Sequence, residues 1–329
     1  MRRLAFASCA VAVACLAPLS ASAQDAAAPE CGDVSIAQMG WASAELTTTI
    51  AKFLLEQGYG CSVSLVNSDT IPAITSVAEN GEPQVVTNLW LNSAGDAYKK
   101  LEAGGTMERL TSVLQPGGVE GWWIPTSLAE AHPELTTIEG IMANPELVGN
   151  RFNNCPSGWG CRVVSDNLIK ALDMEASGIE VFDHGSGETL ATSMGAAVTD
   201  GEPWFGYYWE PTVPMGKYNM TRVKIGDYNA EAFAALQNPE TTDPQVSEFP
   251  DAPVLTSVTT EFATSNPQVT DFFRKMSFET GAMSALLAWQ DDNNASAEEA
   301  AVHFLTSSPD IWSGWISDPA KDKLSNLLQ

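Results

Sequence analysis

Basic residues are scarce in this chain. Sixteen Lys and Arg stand against 41 Asp and Glu, a formal net charge of −25. That balance excludes a nucleic-acid binder, which needs a basic footprint, and argues against docking on anionic membrane surfaces. Histidine is scarcer still, at three (His132, His184, His303), scattered and outside any triad-like motif. There is no G-x-S-x-G elbow, because Gly185-Ser186-Gly187 lacks the spacing, and no glycine-rich nucleotide loop. An exported hydrolase is the enzyme alternative, and these absences leave it without machinery; no enzyme activity, cofactor or metal is expected. No C-x-x-C occurs, so the cysteines do not read as zinc ligands. Past the N-terminus no long apolar run follows.

The N-terminus itself reads as a secretory signal. Arg2 and Arg3 precede the apolar stretch Leu4 to Leu19, and Ala21-Ser22-Ala23 offers an A-x-A cleavage site, so a mature chain starting at Gln24 is expected in the periplasm. Loss of the two arginines would take the charge to about −27. The mature chain keeps Cys31, Cys61, Cys155 and Cys161, an even count that reads as disulfides in an oxidising compartment. Three connectivities are open, of which proximity favours Cys31–Cys61 and Cys155–Cys161. The second would close a small loop with Trp159 at its tip.

Against these absences stands an abundance of tryptophan, ten in all. Four sit in turn-marked motifs: Met39-Gly40-Trp41, Asn88-Leu89-Trp90, Gly158-Trp159-Gly160 and Tyr207-Tyr208-Trp209-Glu210-Pro211. Single tryptophans usually fill cores, and Trp289, Trp312 and Trp315 are expected to do so. Several facing one cavity can instead hold a methylated ammonium group, which has no N–H to donate and binds through ring faces.

The pattern along the chain predicts two α/β lobes. Strands are expected at Val34–Ala37, Cys61–Val66, Pro83–Leu89, Ile179–Phe182, Pro203–Tyr208, Val223–Ile225 and Val254–Thr259, with a loop running into a strand over 117–125. A helix capped by Ser43 is expected to run to about Gln57, and others lie at Ile71–Ala78, Arg162–Leu172, Glu188–Ala197 and through the C-terminal tail. Residues 226–253 read as an irregular connection. Strand–helix alternation implies a mostly parallel sheet with ligand at the carboxyl ends of strands, where Trp41 and Trp90 fall. Alternation puts Trp122 and Trp123 on opposite faces, so at most one lines a cleft.

Cys155-Pro-Ser-Gly-Trp-Gly-Cys161, Val85-Val-Thr-Asn-Leu-Trp90 and Trp204-Phe-Gly-Tyr-Tyr-Trp-Glu-Pro211 together resemble three motifs of the periplasmic receptors of ABC importers for glycine betaine, choline, carnitine and trimethylamine N-oxide. The Cys31–Cys61 pair, Trp41-Ala-Ser-Ala-Glu45 and Gly118-Val-Glu-Gly-Trp-Trp123 are similar to the branch that includes trimethylamine N-oxide receptors. The resemblance implies a type II periplasmic-binding fold, with lobe one at 31–121 plus 252–329 and lobe two at 122–251, closing on a ligand by a hinge. It implies a cage of Trp41, Trp90, Trp159 and Trp209, completed by Trp123 or Trp122, and a membrane permease as partner of a monomeric receptor. Where choline receptors carry an Asp, this chain has Ser43; where betaine receptors often carry a His, it has Ala94. A carboxylate-bearing ligand would then rest on the backbone N–H groups of Gly160 and Cys161 at a helix start. Glu120 is the expected polar anchor for a cationic head or an N-oxide. The runner-up reading is a receptor for another small solute, a sulfonium analogue such as dimethylsulfoniopropionate or an amino acid, the latter requiring an Arg grip from Arg151 or Arg162.

Overall fold

The structure, a computed structural model, describes residues 31–327; the expected signal peptide, its cleavage site and the linker Asp25–Pro29 lie outside them. Ten strands run β1 (Asp33–Met39), β2 (Ser62–Ser68), β3 (Val85–Trp90), β4 (Met107–Pro125), β5 (Arg151–Asn154), β6 (Glu180–Asp183), β7 (Gly206–Glu210), β8 (Met220–Arg222), β9 (Ala252–Thr259) and β10 (Phe278–Glu279). Their lateral order is β2-β1-β3-β9-β4-β7-β5-β6, with β8 and β10 attached to β4.

The expected parallel pairing is found at the flanks and where the short β10 joins β4. β1 pairs in parallel with β2 and β3, and β5 with β6 and β7. The centre is antiparallel, β3 with β9, β9 with β4, and β4 with β7. The cause is β4, a single 19-residue strand that serves both halves. Met107 to Gly118 pair with β9, and Val119 to Trp123 pair with β7. Its first part was not expected as strand, and the loop expected at 117–121 is strand as well.

β3 is buried at every position, as strands covered on both faces are, while β1 buries Val34, Ile36, Ala37 and Met39. Helix α1 (Ala42–Leu54) follows β1, α2 (Thr70–Asn80) follows β2, and α3 (Leu91–Ala103) follows β3. α1 ends in a π-type turn over Leu55–Tyr59, closed by Gly60 at φ 74°. Ser43 does not cap α1. Trp41 holds the N-cap position without a side-chain bond, and Ser43 lies inside the first turn with its Oγ aimed at Asn88 Oδ1, 3.5 Å away. Three further expectations shift: β8 falls at 220–222 instead of Val223–Ile225, β5 was unforeseen, and a helix Ala230–Leu236 lies in the segment expected to be irregular. Both disulfides pair as proximity favours, Cys31–Cys61 and Cys155–Cys161. Trp312 and Trp315 are core, while Trp289 is partly buried and stacks on His303 at 3.8 Å. No helix among the described residues is long and apolar enough to cross a membrane.

Candidate functional site

The carboxyl ends of β1 and β3 and the starts of four helices converge on one small cavity, lined by Trp41, Thr70, Trp90, Ser93, Glu120, Trp159, Gly160, Cys161, Tyr207 and Trp209. The space left between these side chains is small, so the cavity suits a solute of few atoms.

Each wall has a local cause. Trp41 leaves β1 at the turn into α1, its N–H donating to Met39 O at 2.9 Å and its C=O accepting from Ala44 and Glu45. Trp90 ends β3 and lies over Gly118, where a Cβ would sit 2.1 Å from the indole, so that position must be glycine. Trp159 precedes the helix Gly160–Ala171 inside the Cys155–Cys161 loop. Trp209 projects from β7. Trp41 and Trp159 meet edge to face at 5.1 Å, and Trp159 and Trp209 do so at 5.2 Å. All four indoles are buried.

Two indole N–H groups are satisfied by one atom. Asn88 Oδ1 accepts from Trp41 Nε1 at 2.9 Å and from Trp90 Nε1 at 3.2 Å, while Asn88 Nδ2 donates to Thr47. Asn88 holds φ at 55°, a left-handed conformation that Asn tolerates better than most residues. The third indole, Trp159, donates to the Asp69 carboxylate, which also accepts from the Gly40 backbone; burial pushes the Asp69 carboxyl up. With their N–H groups tied elsewhere, these rings offer the cavity π surface.

The one ionisable carboxyl in the lining is Glu120, 1 % exposed. Ser93 Oγ and Tyr207 Oη each donate to its Oε1 at 2.8 Å, and its Oε2 has no partner. Burial drives the Glu120 carboxyl up from its ordinary value, opposed by the bonds from Ser93 and Tyr207, by the nearby Asn92 amide and by the charge of Arg222. Burial, then the neighbouring Glu120, holds the Tyr207 phenol well above its usual range.

Of the expected site residues, Trp41, Trp90, Glu120, Trp159, Gly160, Cys161 and Trp209 line this cavity. Trp123 does not. It lies three residues from Glu120 along β4, hence on the opposite face, and donates to Tyr208 O at 3.1 Å. Trp122 shares the face of Glu120 but packs deeper, 4.5 Å from Phe152 and 5.7 Å from Phe205, as core. Thr70, Ser93 and Tyr207 were missed. Period-two alternation from Trp209 would have found Tyr207; nothing in the sequence marks Thr70 or Ser93. Neither arginine reaches the cavity lining. Arg162 pairs with Asp166 and Asp183, and Arg151 lies over the Phe182 ring.

Residues 32–307 match the family model described as the substrate binding domain of ABC-type glycine betaine transport systems. A trimethylamine N-oxide-binding protein of Pelagibacter ubique is 23 % identical over 269 residues, covering 78 % of this chain and 82 % of that protein. An ABC-transporter choline-binding protein in complex with choline aligns with a TM-score of 0.75 at 18 % identity, over 90 % of this chain and 98 % of its own. A glycine betaine/L-proline-binding protein of Borrelia burgdorferi aligns with a TM-score of 0.74 at 14 % identity, over 88 % and 99 %. At these identities the structural matches speak to the fold.

Proposed function

The chain belongs to the family of substrate-binding domains of ABC-type glycine betaine transport systems, and from that premise we propose that it binds a small methylated amine in its tryptophan cage, trimethylamine N-oxide before glycine betaine or choline. The observation that carries the reading is the pairing of four indoles with one buried carboxyl in the cavity lining, one of whose oxygens has no protein partner. The indoles suit three methyl groups on a positive nitrogen. Each desolvated ring face contributes about 2 kcal/mol, so four supply about 8 kcal/mol, a micromolar scale before association costs. Glu120 supplies a polar contact of the kind an N-oxide oxygen needs. Burial favours its neutral form, and a neutral carboxyl donates where a carboxylate cannot. The name of the Pelagibacter relative supports the same ligand.

Glycine betaine is the second reading. The helix Gly160–Ala171 starts at the cavity wall, and its first N–H groups have no partner within the helix. Either ligand would be held between two lobes, residues 31–121 plus 252–329 and residues 122–251, hinged where β4 passes from one to the other. The closed form would then hand ligand to a membrane permease from the periplasm, the receptor acting without chemistry.

Calorimetric titration of ligand-free protein with trimethylamine N-oxide, glycine betaine and choline tests the assignment. Preference for glycine betaine would move the anchor from Glu120 to the helix start, and silence from all three would sink the ligand class. Trp209→Ala should weaken binding at least about tenfold, with a far-UV spectrum like the parent's. Unchanged affinity in that variant would remove Trp209 from the cage.

A further inference from the structure

We infer that Ser93 and Tyr207 select the class of methylated ligand, by filling one oxygen of Glu120 and so assigning its proton to the other. The inference rests on the cage reading above. Ser93 Oγ and Tyr207 Oη both donate to Oε1, each at 2.8 Å. Two donors occupy both lone pairs of that oxygen, so in the neutral form of the carboxyl it is the carbonyl oxygen and cannot carry the proton. The proton sits on Oε2, the atom with no protein partner in a residue 1 % exposed. The donors come from different parts of the sheet, Ser93 from the first turn of α3 after β3, and Tyr207 from β7. Glu120 itself pairs with Trp209 in the β4–β7 ladder, so the carboxyl and the cage wall are held in one register.

The other groups facing Glu120 are Asn92 from α3 and Arg222 from β8. Arg222 is itself held by Glu248 and the Phe249 carbonyl, at 3.0 Å each. The Arg222 charge is thus shared with Glu248 and only partly offsets the burial of the Glu120 carboxyl.

A proton on Oε2 separates two ligand classes. An amine N-oxide carries an acceptor oxygen beside its positive nitrogen and is neutral overall. Its oxygen accepts Oε2–H, and no proton enters or leaves. A quaternary ammonium such as choline has no acceptor at its head. To gain an ion pair it must drive the Oε2 proton into solvent, so one proton is released for each ligand bound while Glu120 is neutral. The two pH dependences therefore have opposite signs. N-oxide affinity is flat at low pH and falls as pH rises through the raised value of Glu120. Choline affinity climbs with pH over the range in which Glu120 is neutral and then levels.

The test is titration of the full mature protein with trimethylamine N-oxide and with choline across a pH series. Two buffers of different ionisation enthalpy count the protons exchanged. Measurements on the parent, Ser93→Ala, Tyr207→Phe and Ser93→Thr complete the set. The expected result is no proton exchange with the N-oxide and release of about one with choline in the low-pH limb. Ser93→Ala and Tyr207→Phe should weaken the N-oxide about tenfold. They should also move the break in its pH profile upward, because both bonds favour the ionised form; Ser93→Thr restores the parent profile. Equal weakening of both ligands with an unmoved break would reduce the two residues to scaffold and overturn the inference, leaving the cage reading standing. Identical proton counts for the two ligands would overturn it in the same way. Failure of the parent to bind either ligand would take down both readings together.

Discussion

At the scale of single residues, the cage depends on one buried amide. Asn88 Oδ1 holds the N–H groups of both Trp41 and Trp90. Removing it leaves two buried donors without partners, at about 1–3 kcal/mol each. Asn88→Gly keeps the left-handed backbone and isolates that loss. It should lower the denaturation midpoint and weaken ligand about tenfold. Asn88→Ala keeps a Cβ at φ 55° without the polar side chain that lets Asn tolerate it, and should fall about 1–2 kcal/mol below the glycine variant. Parental affinity in the glycine variant would show that the rings hold their places by packing alone. Glu120 makes a second prediction at this scale. Its folded value lies above its unfolded one. Below the unfolded value the carboxyl is neutral in both states and costs nothing. As pH rises from the unfolded value to the folded one, the unfolded chain loses the proton first, and stability falls; above the folded value the penalty is constant. Glu120→Gln removes this slope, so the ligand-free variant should resist urea better than the parent at high pH and match it at low pH. A parallel pH dependence of urea midpoints in the two proteins would contradict the assignment.

At the scale of elements, the start of the helix Gly160–Ala171 abuts α3 so closely that a Cβ on Gly160 would fall 1.6 Å from Ser93 O. Both partners are backbone, so no rotamer change relieves the clash. Because the two residues lie on opposite sides of the proposed hinge, Gly160→Ala should block closure while leaving each side folded. Ligand affinity should drop by about a hundredfold or more, with the ligand-free melting temperature near the parent's; a variant that binds normally would mean the two elements need not touch. How much was legible follows element by element. β1, β3 and β9 bury β-branched residues and fell within about two residues of their expected bounds. The first part of β4, Met-Glu-Arg-Leu-Thr-Ser-Val-Leu, mixes charge with apolar residues because it is only half covered, and it gave no strand signal. β5 is four residues, Arg-Phe-Asn-Asn, whose polar ends serve other contacts. Turn-marked tryptophans identified four walls of the cavity. Trp123 or Trp122 was expected to complete the cage from the resemblance, but alternation along β4 puts Trp123 on the face opposite Glu120, and Trp122 packs into the core. Ser93 joins the site only through the fold, a serine among many with nothing local to distinguish it.

At the scale of the molecule, charge opposes what the cage favours. Most of the basic side chains are already committed to ion pairs, including Lys52, Lys99, Arg109, Arg162, Arg222, Arg274 and Lys275. The remaining acids repel one another across the surface. Some face each other over the proposed cleft. Glu45 from the start of α1 and Glu188 from the start of the helix Gly187–Asp200 line the space beside the cage, and the Glu45 carboxyl is raised by burial and then by Glu188. One exposed pair bridges the same two parts in the opposite sense, Lys217 with Asp291. Such exposed pairs are worth about 0–1 kcal/mol and do not offset the acidic excess. Salt should therefore stabilise the chain and ease closure. Raising NaCl from about 0.01 M to about 0.5 M shrinks the screening length from about 30 Å to a few ångströms. The melting temperature should rise, and affinity for the neutral N-oxide should rise with it. Choline, a cation drawn in by the same field, should associate more slowly at high salt. A melting temperature that falls with salt would show that the ion pairs outweigh the repulsion. An N-oxide affinity indifferent to salt, with the melting temperature still rising, would place the repulsion within each lobe instead of across the cleft.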